Sequence, residues 1–358
     1  MGDNSSFASN PSGSSNSSGC ANVKCLFTNA ERWAVVGSLL ATFLGALIGN
    51  VIVCILIIKN RHLRNSTNYS IMNLSIADLL ITVFCIPIVT VDLYITDEWI
   101  FGQASCKLVS FAQNLALVTS ILNLAVISVE KFLMVWFPFF LRKKSKHIKW
   151  FLIATWIIGI LQSSLTVNYR QVRVFSGKSY CMDNWPSFQS RRQYVIAHSA
   201  VFFFLPLLFM FVLHTLTITQ IRSMKLPINS RAKRSTSNYV RENLKKSLSF
   251  NRKVTRKRKA INMLILIFFS FALCWSPYHI YQLWIQNTDL KQVSFRTVNI
   301  VFIVVLWMAF FSCVSHPIIY GLAGNKYRMA FRNSFSWRRI PDSTARSSVK
   351  QRSRESKK

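Results

Sequence analysis

Residues 106–138 read CKLVSFAQNLALVTSILNLAVISVEKFLMVWFP. No residue between Lys107 and Glu130 is charged, and about 20 residues of helix, rising roughly 1.5 Å each, cross a bilayer core of about 30 Å. The stretch is a membrane span. Its apolar run is interrupted by Gln113, Asn114, Thr119, Ser120, Asn123 and Ser128; such side chains are costly against lipid, so this helix is expected to run through the middle of a bundle. An acid and a base, Glu130 and Lys131, close it just ahead of Trp136-Phe137-Pro138.

Six further apolar segments flank this one. The seven boundaries read Trp33 to Ile58, Thr67 to Val91, Gln103 to Phe137, Ile148 to Val167, Tyr194 to Ile221, Ala260 to Ile285 and Val293 to Leu322, with some helices expected to extend past the membrane. Lys59, Arg61 and Arg64 lie between the first two, Arg142, Lys143, Lys144, Lys146 and Lys149 around the third connection, and Arg252 to Lys259 ahead of the sixth. Short cytoplasmic loops retain Lys and Arg, so these segments fall inside and the N-terminus outside. The outer connections hold Asp92, Asp97, Glu98, Asp183 and Asp289.

Composition agrees. Half of the 358 residues are hydrophobic (51%), too apolar for an ordinary soluble chain of this length. The net charge of +32 would suit a nucleic-acid partner, but the bases sit between and after the spans with no recognition motif beside them, so nucleic acid is excluded. Of eight cysteines, Cys20, Cys25, Cys106 and Cys181 fall outside, where disulfides persist, and Cys54, Cys85, Cys274 and Cys313 within spans. Neither cysteines nor histidines show metal-ligand spacing, and no nucleophile and base pair marks an enzyme.

The expected fold is an all-α membrane protein: a seven-transmembrane helix bundle with a short amphipathic cytoplasmic helix. Residues 1–32 read as a disordered extracellular tail with glycosylation patterns at Asn4 and Asn16, without a signal-peptide core, so the first span must direct insertion. Residues 33–322 form the seven-span bundle. Residues 323–337 place Tyr327, Phe331 and Phe335 at intervals of four among Lys and Arg, a pattern for a helix lying on an anionic leaflet. Residues 338–358 read as a disordered basic tail.

Motifs inside the spans carry a resemblance. They are Asn50 after Gly49, Leu74-Ser75-Ile76-Ala77-Asp78-Leu79, Trp99-Ile100-Phe101-Gly102 before Cys106, Trp156, Pro206, Phe271 with Cys274-Trp275-Ser276-Pro277, and His316-Pro317-Ile318-Ile319-Tyr320. In this order the set resembles the rhodopsin-like (class A) G-protein-coupled receptors, closest to the neuropeptide receptor branch, over about residues 33–335. The resemblance implies a plasma-membrane receptor for an extracellular peptide that activates a heterotrimeric G protein, with arrestin and receptor kinases as further partners.

It also implies site residues. Cys106 and Cys181 correspond to the disulfide tying the third helix to the second outer loop, where Gln171 to Cys181 reads as a hairpin turning at Ser176-Gly177-Lys178. The ligand cavity would draw on Gln113, Asn114, Leu117, His198, Trp275, His279, Gln282 and Phe310. Gln113 stands where amine receptors carry an aspartate, and Phe310 where visual pigments carry a lysine, so both ligand classes are excluded. Pro206, Ile121 and Phe271 correspond to the packing trio below the cavity, with Trp275 above it and helix bends at Pro277 and Pro317. Asp78, near Asn50, Ser120 and Ser312, matches a cluster that in many relatives holds an allosteric sodium ion; no other cofactor is implied.

Three positions depart from the family. Glu130-Lys131-Phe132 replaces Asp-Arg-Tyr, losing the arginine fork. His214 stands for a common tyrosine, and His316 for a common asparagine. Together they suggest a weak inner lock and appreciable basal signalling, and they keep open a receptor-like protein that does not couple. A transporter is the rival of a different class, expected to show related halves or broken helices.

Overall fold

In the computed structural model residues 27–96, 98–137, 148–224, 238–288 and 293–335 are described. Cys20, Cys25, Asn4, Asn16, Asp97 and Asp289 lie outside them. Seven helices are long and apolar enough to cross a membrane. They are α1 (Asn29–Lys59), α2 (Ser66–Ile95), α3 (Gly102–Trp136), α4 (Ile148–Val167), α5 (Phe188–Ser223), α6 (Asn238–Asn287) and α7 (Phe295–Ala323), followed by a short α8 (Asn325–Phe335). An antiparallel hairpin, β1 (Arg170–Phe175) and β2 (Lys178–Asp183), joins α4 to α5.

The helix ends are set by local chemistry. Thr28 and Glu31 form a capping box at the start of α1, satisfying two otherwise orphaned backbone donors. Ser187 caps α5 in the same way, which starts that helix at Phe188, ahead of the expected Tyr194, because its first turn is polar. The helix of α6 begins at Asn238, well before the apolar run at Ala260. At about 1.5 Å per residue its 50 residues exceed a bilayer core of about 30 Å, so its polar first half projects beyond the span.

Prolines reshape two helices. Pro206 supplies no backbone donor; ahead of it residues Ala200–Phe204 widen into a π turn, in which the Leu205 N–H reaches the Ala200 carbonyl. The same adjustment spans Ile81–Cys85 before Pro87 in α2. Pro277 and Pro317 lie inside α6 and α7.

As its polar interruptions suggest, α3 is the centre of the bundle, buried at intervals from Cys106 to Val135. Its Asn123 amide donates to the Ser70 carbonyl of α2 at 2.8 Å, and Ser128 Oγ lies 3.1 Å from His214 Nε2 of α5. Gly159 of α4 packs against it so closely that a Cβ would stand 2.7 Å from Thr119 Oγ1. Gly49 plays the same part between α1 and α7, where a Cβ would meet Pro317 at 2.7 Å.

The hairpin turns on Ser176 and Gly177, both with positive φ (48° and 78°), the geometry of a two-residue turn matched to strand twist. Lys178 therefore opens β2, where the sequence suggested it was part of the turn. The Cys106–Cys181 disulfide, Cα atoms 5.6 Å apart, fixes the hairpin to α3. Gln103 grips the neighbouring strand, donating to the Arg170 carbonyl at 2.9 Å and accepting from Val172 N–H at 2.7 Å.

One expectation for α8 is corrected. Tyr327 does not lie on the lipid-facing stripe: it is 5% exposed, stacked on Tyr320 of α7 with centroids 5.7 Å apart. Phe331 is exposed as expected. Asn60 at the end of α1 donates to Ser334 Oγ at 3.3 Å, so α8 is docked on the bundle as well as facing outward.

Candidate functional site

Beneath the hairpin, α3, α5 and α6 leave a small cavity of about 100 Å³. On α3 its wall is Ser110, Asn114 and Leu117, residues spaced by four and three that share one helical face. Gln113 is turned roughly 100° from Asn114 by the 3.6-residue period and does not line the cavity, contrary to expectation. His198, His279 and Gln282 do line it. Trp275 and Phe310, each 1% exposed, lie in the packing below it and form no part of its wall.

The wall is held by hydrogen bonds. Asn114 Nδ2 donates to the Ser110 carbonyl at 3.0 Å, Gln282 Nε2 to the Tyr278 hydroxyl at 2.9 Å, and His279 Nδ1 lies 3.1 Å from Ser199 Oγ. Aromatic rings run down one side, Tyr169 on Trp185 at 4.0 Å, Trp185 on Tyr194 at 4.9 Å, and Tyr194 on His198 at 5.6 Å. Trp185 and Tyr278 were absent from the sequence expectation for the cavity.

The mouth carries an ion-pair cluster. Asp183 of β2 holds Arg170 Nε of β1 at 3.0 Å and Arg191 Nη2 of α5 at 3.3 Å. Register explains the first pair, since Arg170 stands opposite Asp183 in the hairpin. Among the described residues lining the cavity Asp183 is the only acid, so two guanidinium groups face one carboxylate. Other rim charges are engaged nearby: Arg192 donates to Asn287 Oδ1 at 2.7 Å, Arg173 to Asn184, and Glu98 accepts from the Ser179 N–H at 3.2 Å.

The residues matched to the packing trio lie below the cavity. Ile121 and Phe271 are fully buried in one cluster, Pro206 is half-buried in α5, and Phe271 lies 6.1 Å from Trp275 between ring centroids. Trp275 Nε1 donates to Ser312 Oγ at 3.1 Å. One turn further, Asp78 of α2 meets His316 of α7 at 2.8 Å, while Asn50 Nδ2 donates to the Cys313 carbonyl at 2.9 Å. Ser120 Oγ has no protein partner. Tyr320 is buried near the bend at Pro317.

At the end opposite the hairpin, Lys131 is 3% exposed, within 3.3 Å of Glu130 and hydrogen-bonded to Thr67 of α2. It is therefore turned onto α2. Phe132 packs at a tilt against Trp136, centroids 5.9 Å apart. Contact between α3, α5 and α6 here is a small apolar cluster of Val135, Ile221, Val254 and Ile261, joined by one bond from Arg258 Nη2 to the Ile221 carbonyl at 3.3 Å.

Residues 49–320 match the profile of the 7 transmembrane receptor (rhodopsin family) group. The chain is similar to Neuropeptide FF receptor 1 of Rattus norvegicus, 28% identical over 306 residues, covering 82% of this chain and 68% of that protein. It is 28% identical to Neuropeptide FF receptor 2 of Mus musculus, covering 84% and 72%. With the Substance-P receptor of Meriones unguiculatus it shares 25% identity, covering 81% and 68%.

Proposed function

The chain belongs to the rhodopsin family of seven-transmembrane receptors, and from that premise we propose that it binds an extracellular peptide and activates a heterotrimeric G protein at the plasma membrane. In this reading the hairpin end faces outward and the C-terminus lies in the cytoplasm, the arrangement the charged connections favour. The observation that carries the ligand class is the cavity wall. Asn114 and Gln282 bring side-chain amides, which donate and accept as the amide groups of a peptide require. The similarity to receptors named for neuropeptides supports the same class.

A volume of about 100 Å³ is below the roughly 300–1,000 Å³ of a typical small-molecule site. Binding therefore widens the mouth, and the part that yields is the cluster of Arg170, Asp183 and Arg191. Its side chains are about one-quarter to one-third exposed, so its pairs are screened and weak enough to exchange for contacts with a ligand. The ligand acts by favouring the widened arrangement over the closed one.

Nucleotide exchange on purified G proteins, with the full chain in lipid vesicles and a peptide library as ligand source, tests the reading. Peptide-stimulated exchange that depends on this chain is expected. Exchange equal to that of empty vesicles with every G protein and every peptide pool would leave a receptor-like protein without coupling.

A further inference from the structure

Asp78 is 2% exposed in α2, and His316 is fully buried in α7. A carboxylate at that depth must be met by donors or by a cation. Here the chain itself supplies the donor. His316 Nδ1 lies 2.8 Å from Asp78 Oδ2; an ionised carboxylate only accepts, so with Asp78 ionised the proton sits on Nδ1. The imidazole has little room to leave, lying nearly parallel to the Phe271 ring at an angle of 13° with centroids 6.5 Å apart.

The remaining oxygens are neutral, and the carboxylate they would need is already met. Ser312 Oγ donates to the Ala309 carbonyl at 2.7 Å and accepts from Trp275 Nε1 at 3.1 Å. The Asn50 amide nitrogen is spent on two carbonyls, Ala46 at 3.0 Å and Cys313 at 2.9 Å. Asn50 Oδ1 and Ser120 Oγ are buried without a protein partner, but an amide oxygen and a hydroxyl do not replace a carboxylate. A hard cation is held by oxygen lone pairs, whereas an N–H pointing at Asp78 puts a proton where the ion would sit. That holds for the imidazolium and for the neutral ring protonated at Nδ1 alike.

We infer that His316 takes the place of the sodium ion beside Asp78, so that this chain links α2 to α7 through an internal donor and binds no sodium between them. Asparagine, which the family commonly carries at this position, is shorter and has an oxygen to offer as well as a donor. His316→Asn should therefore open the site that the imidazole closes.

The test needs no ligand and does not depend on coupling. The purified full chain in phosphatidylcholine nanodiscs is unfolded thermally in sodium chloride and in N-methylglucamine chloride at one ionic strength. The native chain is expected to melt at the same temperature in both. His316→Asn should melt higher in sodium by about 2 °C or more, the shift that selective binding to the folded state produces in a chain of this size, and adding Asp78→Asn should remove the difference. A sodium-specific rise in the native chain that Asp78→Asn abolishes overturns the inference. A folded His316→Asn chain with no sodium response overturns it too; should that variant fail to fold, His316→Gln takes its place and the native comparison stands by itself.

Discussion

At the hairpin end, three segments far apart in sequence are held by a disulfide, an arginine and aspartate cluster, and side-chain bonds from Gln103 and Arg192. At the opposite end, among the described residues, α3, α5 and α6 meet through a small aliphatic cluster and a bond from Arg258, with Ser128 and His214 paired about two turns deeper, while Lys131 turns aside to α2. The first end is directional and specific. The second has few contacts that depend on geometry, so it can part and close again without leaving many polar groups unpaired. A receptor that takes in chemical detail on one side and reports a movement on the other needs this division.

The largest effect is expected from breaking the directional end. Cys106→Ser with Cys181→Ser removes a covalent tie across 75 residues, worth about 2–5 kcal/mol. Thermal unfolding should move down by many degrees, and surface expression should fall. A double variant as stable as the native chain would show that the hairpin is held by its hydrogen bonds alone.

An intermediate effect belongs to the aliphatic end. Ile261→Ala deletes one of four buried contacts, and such truncations cost about 2–5 kcal/mol in a tight core. If about 1 kcal/mol of this falls on the closed arrangement only, the open population rises roughly fivefold. Basal nucleotide exchange measures it, and an unchanged basal rate would mean that closure rests elsewhere. The smallest effect should come from Lys246→Ala, whose pair with Glu242 is exposed on the projecting part of α6. Helix pairs of this kind contribute about 0.3–0.5 kcal/mol, so neither melting temperature nor basal exchange should shift measurably.

Much of this architecture was legible in residue order. Apolar runs located all seven spans, even the second with Asp78 inside it, since a bilayer demands apolar length before anything else. Their ends were less legible: the starts of α5 and α6 are polar, and apolarity is silent about a helix that continues into water. Asn114, Leu117, His198, His279 and Gln282 line the cavity. Gln113 stands one residue of helical phase, about 100°, from Asn114 and lies outside its wall.

The mouth cluster was not readable from the expected hairpin. With Ser176-Gly177-Lys178 as the turn, Arg170 would fall opposite Asn184; only the two-residue turn at Ser176-Gly177 brings it opposite Asp183, because turn length sets register. Tyr327 was not readable. Spacing by four defines a face of α8, yet only the turn at Gly324, where a Cβ would stand 2.4 Å from the Tyr320 carbonyl, decides which part of that face meets Tyr320. The contact between Asp78 and His316 required both helices to be placed, because 238 residues separate the two side chains.

Whether the aliphatic end is the part that opens can be measured without knowing the ligand. Paramagnetic labels at the exposed positions Arg61 and Arg252 report the separation between the connection from α1 to α2 and the inner part of α6, in the native chain and in Ile261→Ala. The account predicts a longer-distance population that grows in the variant and grows further when nucleotide-free G protein is added. Distance distributions that coincide in all these conditions would contradict it.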